Sequence, residues 1–254
     1  MEWSDQGLVL AARRHGESSA VLSLLTAQHG RHLGLVRGGS GRRQRPILQP
    51  GNQVSVVWRA RLADHLGGYQ VEPVRLWAAD LLDDPLRLAC LRAATALLDG
   101  ALAEREAHPA LFDGLRIVLA ALAESADWAP AYARFELGLL GELGYGLDLA
   151  RCAVTGATTG LTHVSPRSGR AVCAEAAAPY GSRLLVLPGF LIGDRSGWPK
   201  HTGLDAVLDG LILTGHFLER QIARSSTERL PAARNRFIEV LRKRTTTSSV
   251  EIET

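Results

Sequence analysis

The chain has 254 residues, of which 46% are hydrophobic and 22% charged, and its formal net charge is +3 at pH 7. This length and apolar content suffice for one large or two smaller domains, and they exclude a disordered chain. No stretch approaches the roughly 18 apolar residues of a membrane span, and residues 1–6 do not resemble a signal peptide. Three widely spaced cysteines are typical of a reducing compartment. We therefore expect a cytoplasmic protein.

The positive charge is concentrated in the first third of the chain. Residues 1–80 contain ten basic residues, all arginine, against six acidic ones. The rest of the chain contains nineteen basic and twenty acidic residues. The planar guanidinium group of arginine pairs with phosphate and stacks on bases. This distribution favours a nucleic-acid contact near the N-terminus, although an arginine-rich composition alone is also typical of a GC-rich genome.

The first 80 residues predict a small β-barrel. Short apolar runs separated by turn residues predict strands at 8–12, 20–25, 33–37, 53–61 and 69–74. The fourth run alternates most clearly, with Val54, Val56 and Trp58 on the inward face and Arg59 and Arg61 on the outward face. Five strands in about 70 residues favour an OB-type barrel, and an SH3-like barrel gives similar sequence signals.

A helical period begins after Asp83. Apolar residues recur at three- to four-residue spacing over 86–101, 111–122 and 128–143, and a helix pair is predicted near 204–222 and 231–241. Asp84 and Pro85 provide the cap and first-turn proline of the first helix. Residues 144–200 show no sustained period and are interpreted as an irregular insertion. The predicted organisation is thus a barrel at 1–80, a helical domain at 81–242 and a polar tail at 243–254.

A glycine-rich, arginine-rich segment is the strongest candidate for binding chemistry. It follows the third predicted strand and reads Arg37-Gly38-Gly39-Ser40-Gly41-Arg42-Arg43-Gln44-Arg45. The segment lacks the Gly-Lys-Ser/Thr ending of a nucleotide-hydrolysing loop. A flexible loop with four arginines can instead follow a phosphate backbone. The alternative is a solvated hairpin loop without a ligand.

Other candidates extend this basic surface or serve the core. Arg59 and Arg61 on the fourth strand continue the predicted basic surface, and Arg13, Arg14 and His15 extend it at the first turn. Of these residues, Arg14, Arg59 and Arg61 are the further predicted DNA contacts. Trp58 is interpreted as a core residue. The histidines of this region, His15, His29, His32 and His65, have no metal-ligand spacing and receive no role.

No familiar catalytic signature occurs in the sequence, and we predict a protein that is not an enzyme and has no cofactor. Cys90 lies on an apolar helix stripe and is interpreted as a buried residue. Cys152 and Cys173 occupy positions of a four-cysteine zinc ribbon whose partner positions hold Thr155 and Ala176. A site that borrows His163 or Glu175 is the remaining metal alternative.

The order of these features resembles the bacterial RecO family of recombination mediators along nearly the whole chain. The matching segments include Gly7-Leu8-Val9-Leu10, Arg14-His15-Gly16-Glu17, Leu35-Val36-Arg37-Gly38, Leu48-Gln49-Pro50-Gly51, Arg134-Phe135-Glu136-Leu137 and Leu230-Pro231-Ala232-Ala233-Arg234. Ser165-Pro166 and Gly169 before Cys173 are similar to the middle of the family's zinc module. Because Thr155 and Ala176 replace two ligands here, metal binding is not carried over.

The resemblance implies an α+β multidomain protein, in which an OB-fold barrel precedes an all-α domain with a degenerate zinc-ribbon-like insertion. It also implies binding of single- and double-stranded DNA, annealing of complementary strands, and loading of RecA together with RecR on DNA coated by single-strand DNA-binding protein. The C-terminal tail of single-strand DNA-binding protein is the expected contact, in a nucleoid-associated setting without a membrane. A general OB-fold RNA-binding module is the main alternative, and an enzyme with a site in 144–200 is a further one.

Overall fold

Five β-strands follow one another in the first 75 residues. The structure, a computed structural model, describes residues 1–193, 202–225 and 229–251. The strands are Glu2–His15 (β1), Ser19–Thr26 (β2), Gly30–Val36 (β3), Gln53–Arg59 (β4) and Gly68–Arg75 (β5). Each overlaps one predicted run, so the prediction of a five-stranded N-terminal region is confirmed.

The five strands form one sheet with the order β1-β2-β3-β5-β4, and β1 also pairs with β4, which gives a closed barrel. β1 can pair with both β2 and β4 because it has 14 residues. Its residues 2–8 pair with β4, and its residues 7–15 pair with β2. All of these pairs are antiparallel except that of β3 with β5, where Leu35 lies opposite Gly68.

The barrel core follows the alternation that was predicted for the fourth strand. Val54, Val56 and Trp58 are buried, whereas Ser55 and Arg59 are exposed. Alternate residues of a strand point to opposite faces, so one face of β4 packs inward and the other meets solvent. One prediction needs correction. Arg61 lies after the end of β4, because the hydrogen-bonded ladder with β1 and β5 stops at Arg59.

An aromatic cluster fills one part of the barrel. Trp3 stacks on His29 with ring centroids 3.9 Å apart and also packs against Trp58 at 5.5 Å. The hydroxyl of Tyr69 lies 2.9 Å from Nδ1 of His32, and both side chains are buried. Burial lowers the pKa of His32 to about 4, and the positive charge of Arg105 acts in the same direction. His32 is therefore neutral in the folded barrel at neutral pH.

The buried state of His32 predicts a pH dependence of stability. Its pKa is about 4 in the folded protein and about 6.5 when solvated, so the unfolded chain binds more protons between these values. The stabilisation is present above about pH 6.5 and is lost as the pH falls toward 4. We expect the free energy of unfolding to drop less between pH 7 and 5 in His32→Gln than in the natural protein, as measured by urea denaturation. Parallel curves for the two proteins would contradict this.

Helices dominate the described part of the chain after residue 76. They are Trp77–Asp80 (α1), Pro85–Ala101 (α2), Pro109–Glu124 (α3), Ala129–Glu142 (α4), Ala174–Ala177 (α5), Leu204–Ser225 (α6) and Ala232–Glu251 (α7). The predicted cap of α2 is confirmed, because the Asp84 carboxylate accepts hydrogen bonds from the amides of Leu86 and Arg87, and Pro85 is in the first turn. α7 continues through most of the predicted polar tail.

The segment predicted to be irregular contains a small sheet. Its strands are Leu161–Val164 (β6), Ala171–Cys173 (β7) and Leu185–Val186 (β8), in the order β7-β6-β8. The strands have two to four residues, too few for a sustained alternation, which is why periodicity did not reveal them. The end of the predicted insertion, 194–200, lies outside the described residues.

Residue contacts divide the chain into two units. The first comprises Met1–Glu124 with Pro231–Phe237, and the second comprises Ser125–Leu230 with Ile238–Thr254. The barrel therefore shares its unit with α2 and α3. Cys90 is fully buried in α2, as predicted. In the described residues, no helix is both long enough and apolar enough to cross a bilayer.

Candidate nucleic-acid interface

The β3–β4 loop, residues 37–52, is folded against the barrel rather than extended into solvent. Its first part is tied to the β1–β2 turn, since the amide of Ser40 donates to the carbonyl of Ser18 and its hydroxyl donates to the carbonyl of Ser19. Its second part forms helical turns, in which the amides of Arg45 and Leu48 donate to the carbonyls of Gly41 and Gln44. The expectation of a flexible glycine stretch is thus replaced by an ordered loop.

Two buried residues fix this loop. Leu48 is 2% exposed and belongs to the barrel core. Asn52 is 1% exposed, and its side-chain amide donates to the carbonyls of Pro46 and Ile47 at 2.9 and 3.1 Å. Its side-chain oxygen accepts a hydrogen bond from the amide of Ala78 in α1. A buried amide with all these partners anchors the loop at its C-terminal end.

A cleft of about 640 Å³ lies between the β1–β2 turn and the β3–β4 loop. Arg14 and Glu17 line it from the turn, and Arg45 lines it from the loop. Arg14 bends over the turn and donates to the carbonyls of Gly16 and Glu17. Two cations and one carboxylate give this lining a net positive charge.

The loop that borders this cleft has four exposed arginines, of which Arg45 lines the cleft itself. Arg37, Arg42, Arg43 and Arg45 are all exposed. Within the ranges that the structure describes, none of their side chains forms an ion pair or a hydrogen bond to another residue. Each guanidinium group is therefore free to meet an anion. Of the predicted contacts, the structure brings these four and Arg14 to the same end of the barrel.

The remaining two predicted contacts lie elsewhere. Arg59 forms a two-point ion pair with Glu2, with Nε–Oε2 and Nη2–Oε1 distances of 2.9 Å. The pair lowers the pKa of Glu2 and raises that of Arg59. Because Glu2 begins β1 and Arg14 nearly ends it, about 40 Å of strand separates the two positions. Arg61 is exposed just beyond Arg59, so these two residues form a separate patch.

Side chains of β1, β2 and β3 form polar contacts with α2. Asp99 of α2 accepts hydrogen bonds from Arg13 at 2.7 Å and from Ser23 at 2.6 Å. Arg31 lies 3.7 Å from the same carboxylate and donates to the carbonyl of Leu102. Side chains from three neighbouring strands thus converge on one helix. Arg13 and Arg31 are therefore paired with an acidic side chain of α2, whereas the four arginines of the β3–β4 loop have no such partner among the described residues.

Sequence reasoning missed the residues that shape the cleft. Gly39 must be a glycine, because a Cβ there would lie 2.9 Å from the Cβ of Ala20 and 3.0 Å from the Val36 carbonyl oxygen. Ser40 and Asn52 hold the loop by the hydrogen bonds described above. The only signal in the sequence was the density of glycine and proline in 38–52, which predicts turns but not their contacts.

The cysteine pair in the second unit forms a hydrogen-bonded cluster. The Cys152 sulfur accepts from the amides of Cys173 at 3.3 Å and Thr155 at 3.5 Å, and the Thr155 hydroxyl lies 3.5 Å from the Cys173 sulfur. Hydrogen bonding by the Thr155 side chain, and then by the Cys173 amide, lowers the pKa of the Cys152 thiol to about 6. Across the described ranges, no three His, Cys, Asp or Glu side chains are grouped so that they could hold a metal ion.

This cluster leads to a prediction about metal and stability. We expect the protein to purify without stoichiometric zinc, since Thr155 and Ala176 occupy the partner positions of the two cysteines and a structural zinc site normally has four ligands. Joint Cys152→Ser and Cys173→Ser replacement should leave a folded protein, because serine keeps an acceptor for the buried amides. Elemental analysis and melting curves check the two parts. About one zinc per chain, or failure of the double variant to fold, would contradict them.

Comparisons with known proteins agree with this architecture. Residues 1–77 match the family model described as Recombination protein O N terminal, and residues 82–230 match Recombination protein O C terminal. The DNA repair protein RecO of Rhodospirillum centenum is 51% identical over 252 residues and covers 98% of both chains. Those of Rhodospirillum rubrum and Dinoroseobacter shibae are 50% and 48% identical, over 96% and 95% of this chain and 97% and 98% of their own.

The first unit begins with a five-stranded barrel, helices dominate the described part of the chain after it, and exposed arginines in the β3–β4 loop make one end of the barrel basic. The full-length matches are more specific. The chain belongs to the RecO family, and the resemblance noted from its motifs is confirmed.

Proposed function

We propose that this protein is a DNA repair and recombination mediator that binds single- and double-stranded DNA and anneals complementary strands. The observation that carries the proposal is the group of four exposed, unpaired arginines in the β3–β4 loop, next to Arg14 and a cleft. Such a surface neutralises phosphates without reading bases, which is what the pairing of arbitrary complementary strands needs. Membership of a family whose relatives are named DNA repair protein RecO supports the repair role.

The fold also supports a proposed division of the chain into domains. The strand order β1-β2-β3-β5-β4 in a five-stranded barrel is the basis for assigning residues 1–80 to the OB class, which commonly binds oligonucleotides. We assign residues 81–242 to a helical domain. In it, the segment with Cys152 and Cys173 is a zinc-ribbon-like insertion in which hydrogen bonds replace the metal.

The partners form part of the same proposal. We infer that the protein acts with RecR, contacts the C-terminal tail of single-strand DNA-binding protein, and helps to load RecA. An apolar pocket of about 210 Å³, between the β3–β4 loop and α2, is a candidate site for that tail, with Leu82 and Leu91 in its lining and the exposed Arg92 beside them. Two other arginines on the helices, Arg116 and Arg134, are less available to bind an acidic tail. Arg116 pairs with Asp113, and Arg134 donates to the carbonyls of Phe190 and Gly193.

Strand annealing in nucleotide-free buffer tests the function directly. We expect the protein to accelerate the pairing of complementary oligonucleotides without ATP, because the loop has no Lys-Ser/Thr ending that would hold a triphosphate. Fluorescence quenching of a labelled pair measures the rate, and ATP hydrolysis is measured in parallel. A protein that bound RNA tightly but neither bound nor annealed DNA would instead support the RNA-binding alternative. A hydrolysis activity abolished by a point substitution would support an enzyme.

A further inference from the structure

The cleft beside the β3–β4 loop is larger than phosphate binding requires. Phosphates of a nucleic-acid backbone are contacted at the surface by long cationic side chains, as Arg42 and Arg43 can do without a cavity. The volume of about 640 Å³ instead lies in the range of about 300–1,000 Å³ that is typical of sites for small organic ligands. The cleft is therefore large enough to admit a group bigger than a phosphate.

The lining of the cleft combines small or apolar residues with polar and charged ones. The small or apolar members are Ala12, Ala20, Gly38, Gly39, Gly41, Leu48 and Pro50, and the uncharged polar members are Ser18, Ser40 and Gln49. At Gly39 the loop backbone lies against Ala20 of β2, and this contact leaves no space for a side chain at position 39. Arg14 and Arg45 supply the cations, and Glu17 is the carboxylate of the lining.

We propose that this cleft receives one unstacked base of a DNA single strand, while Arg14 and Arg45 contact the adjoining phosphates. This inference rests on the proposed function and adds a ligand group for the same site. A base has apolar faces that suit the small and apolar lining residues, and it is covalently joined to phosphates that suit Arg14 and Arg45. Glu17 repels phosphate and can accept a hydrogen bond from a base N–H, such as N3–H of thymine, so it favours an orientation that brings the base rather than a phosphate beside it.

The proposal makes the site selective for unpaired strands. A base in a duplex must leave its pair and its stack before it can enter a cavity, at a cost of a few kcal/mol, whereas a base in a single strand is already accessible. The exposed arginines of the loop contact both kinds of DNA through phosphate. The cleft adds a contribution that a single strand alone receives, and this contribution disappears once the strand has annealed.

The test compares a short oligothymidylate with an oligomer of the same length in which every nucleotide is abasic. Both have the same number of phosphates, so a difference in affinity reports on the bases. We expect the natural protein to bind oligothymidylate about fivefold or more tightly than the abasic oligomer, as is typical for even one well-held base. Fluorescence anisotropy measures both affinities. Equal affinities would overturn the proposal and would leave the phosphate contacts of the proposed function intact.

The variant Ala12→Leu tests whether the preference for oligothymidylate over the abasic oligomer arises in the cleft. Ala12 is exposed on β1 and lines the cleft, so a leucine there occupies its space without a change of charge. We expect the ratio of the two affinities to fall toward one, while affinity for the abasic oligomer and the salt dependence stay unchanged. Ser55→Leu, at an exposed position of β4 outside the cleft lining, is the matched control and should keep the natural ratio. A ratio that persists in Ala12→Leu, with both variants melting normally, would place the base elsewhere and refute the proposal.

Discussion

Replacement of Arg42, Arg43 and Arg45 by alanine is expected to weaken DNA binding strongly without unfolding the protein. Each arginine that neutralises a phosphate of a single strand contributes about −0.7 to the slope of log affinity against log salt, so the triple variant should flatten the slope by up to about 2 units. If the two proteins bind equally at 1 M salt, where the phosphate contacts are screened, the variant binds about 100-fold more weakly than the natural protein at 0.1 M salt. The loss should be similar for all sequences, because phosphate contacts carry no base information. Salt titrations with labelled oligonucleotides measure the slope.

A second triple variant tests whether the change in salt dependence comes from the position of the arginines or only from the loss of three positive charges. Arg151, Arg167 and Arg183 are exposed in the second unit, and their replacement by alanine removes the same total charge. We expect this control to keep nearly the natural slope. Melting temperatures of both variants should stay close to that of the natural protein, since exposed substitutions usually change stability by less than about 0.5 kcal/mol each. An unchanged slope in the loop variant would move the binding surface to Arg59 and Arg61 or to the helical domain.

Gly30→Ala is expected to destabilise the first unit severely. Gly30 begins β3 with φ +65°, and a Cβ there would lie 1.8 Å from the carbonyl oxygen of Glu106. The left-handed conformation costs a non-glycine residue about 1–2 kcal/mol. Overpacking against the neighbouring backbone adds about 1–3 kcal/mol. Because the neighbour is main chain, no rotamer change relieves the clash, and residues 104–106 must move away from β3. Urea denaturation measures the loss.

Gly16→Ala is the control that separates the cost of the clash from the cost of the left-handed backbone conformation in Gly30→Ala. Gly16 has φ +60° in the β1–β2 turn, and no other atom lies within 4 Å of the position its Cβ would take. It therefore has the same conformational cost as Gly30 but no clash. We expect it to lose about 1–2 kcal/mol, well short of Gly30→Ala. Equal losses in the two variants would mean that residues 104–106 do not lie against β3, and would reopen this side of the barrel to ligands.

Local patterns were sufficient to identify the elements of the fold. The alternation of Val54, Val56 and Trp58 predicted a strand with one buried face, and the structure buries these three side chains. Asp84 and Pro85 predicted the start of a helix that the structure places there. These signals act over a few residues, because the side-chain period of a strand and the capping of a helix depend on near neighbours alone. The short strands β6 to β8 lack such a period and were not found.

The basic character of the site was readable in the sequence, but its shape depends on tertiary contacts. The density of arginine in 37–45 identified the loop, yet the pairing of Arg59 with Glu2 joins residues 57 positions apart and follows from the register of β1 and β4. The cleft exists because the β1–β2 turn and the β3–β4 loop meet where Gly39 lies on Ala20. Composition and periodicity specify which residues are exposed, whereas strand register and loop packing determine which exposed residues become neighbours.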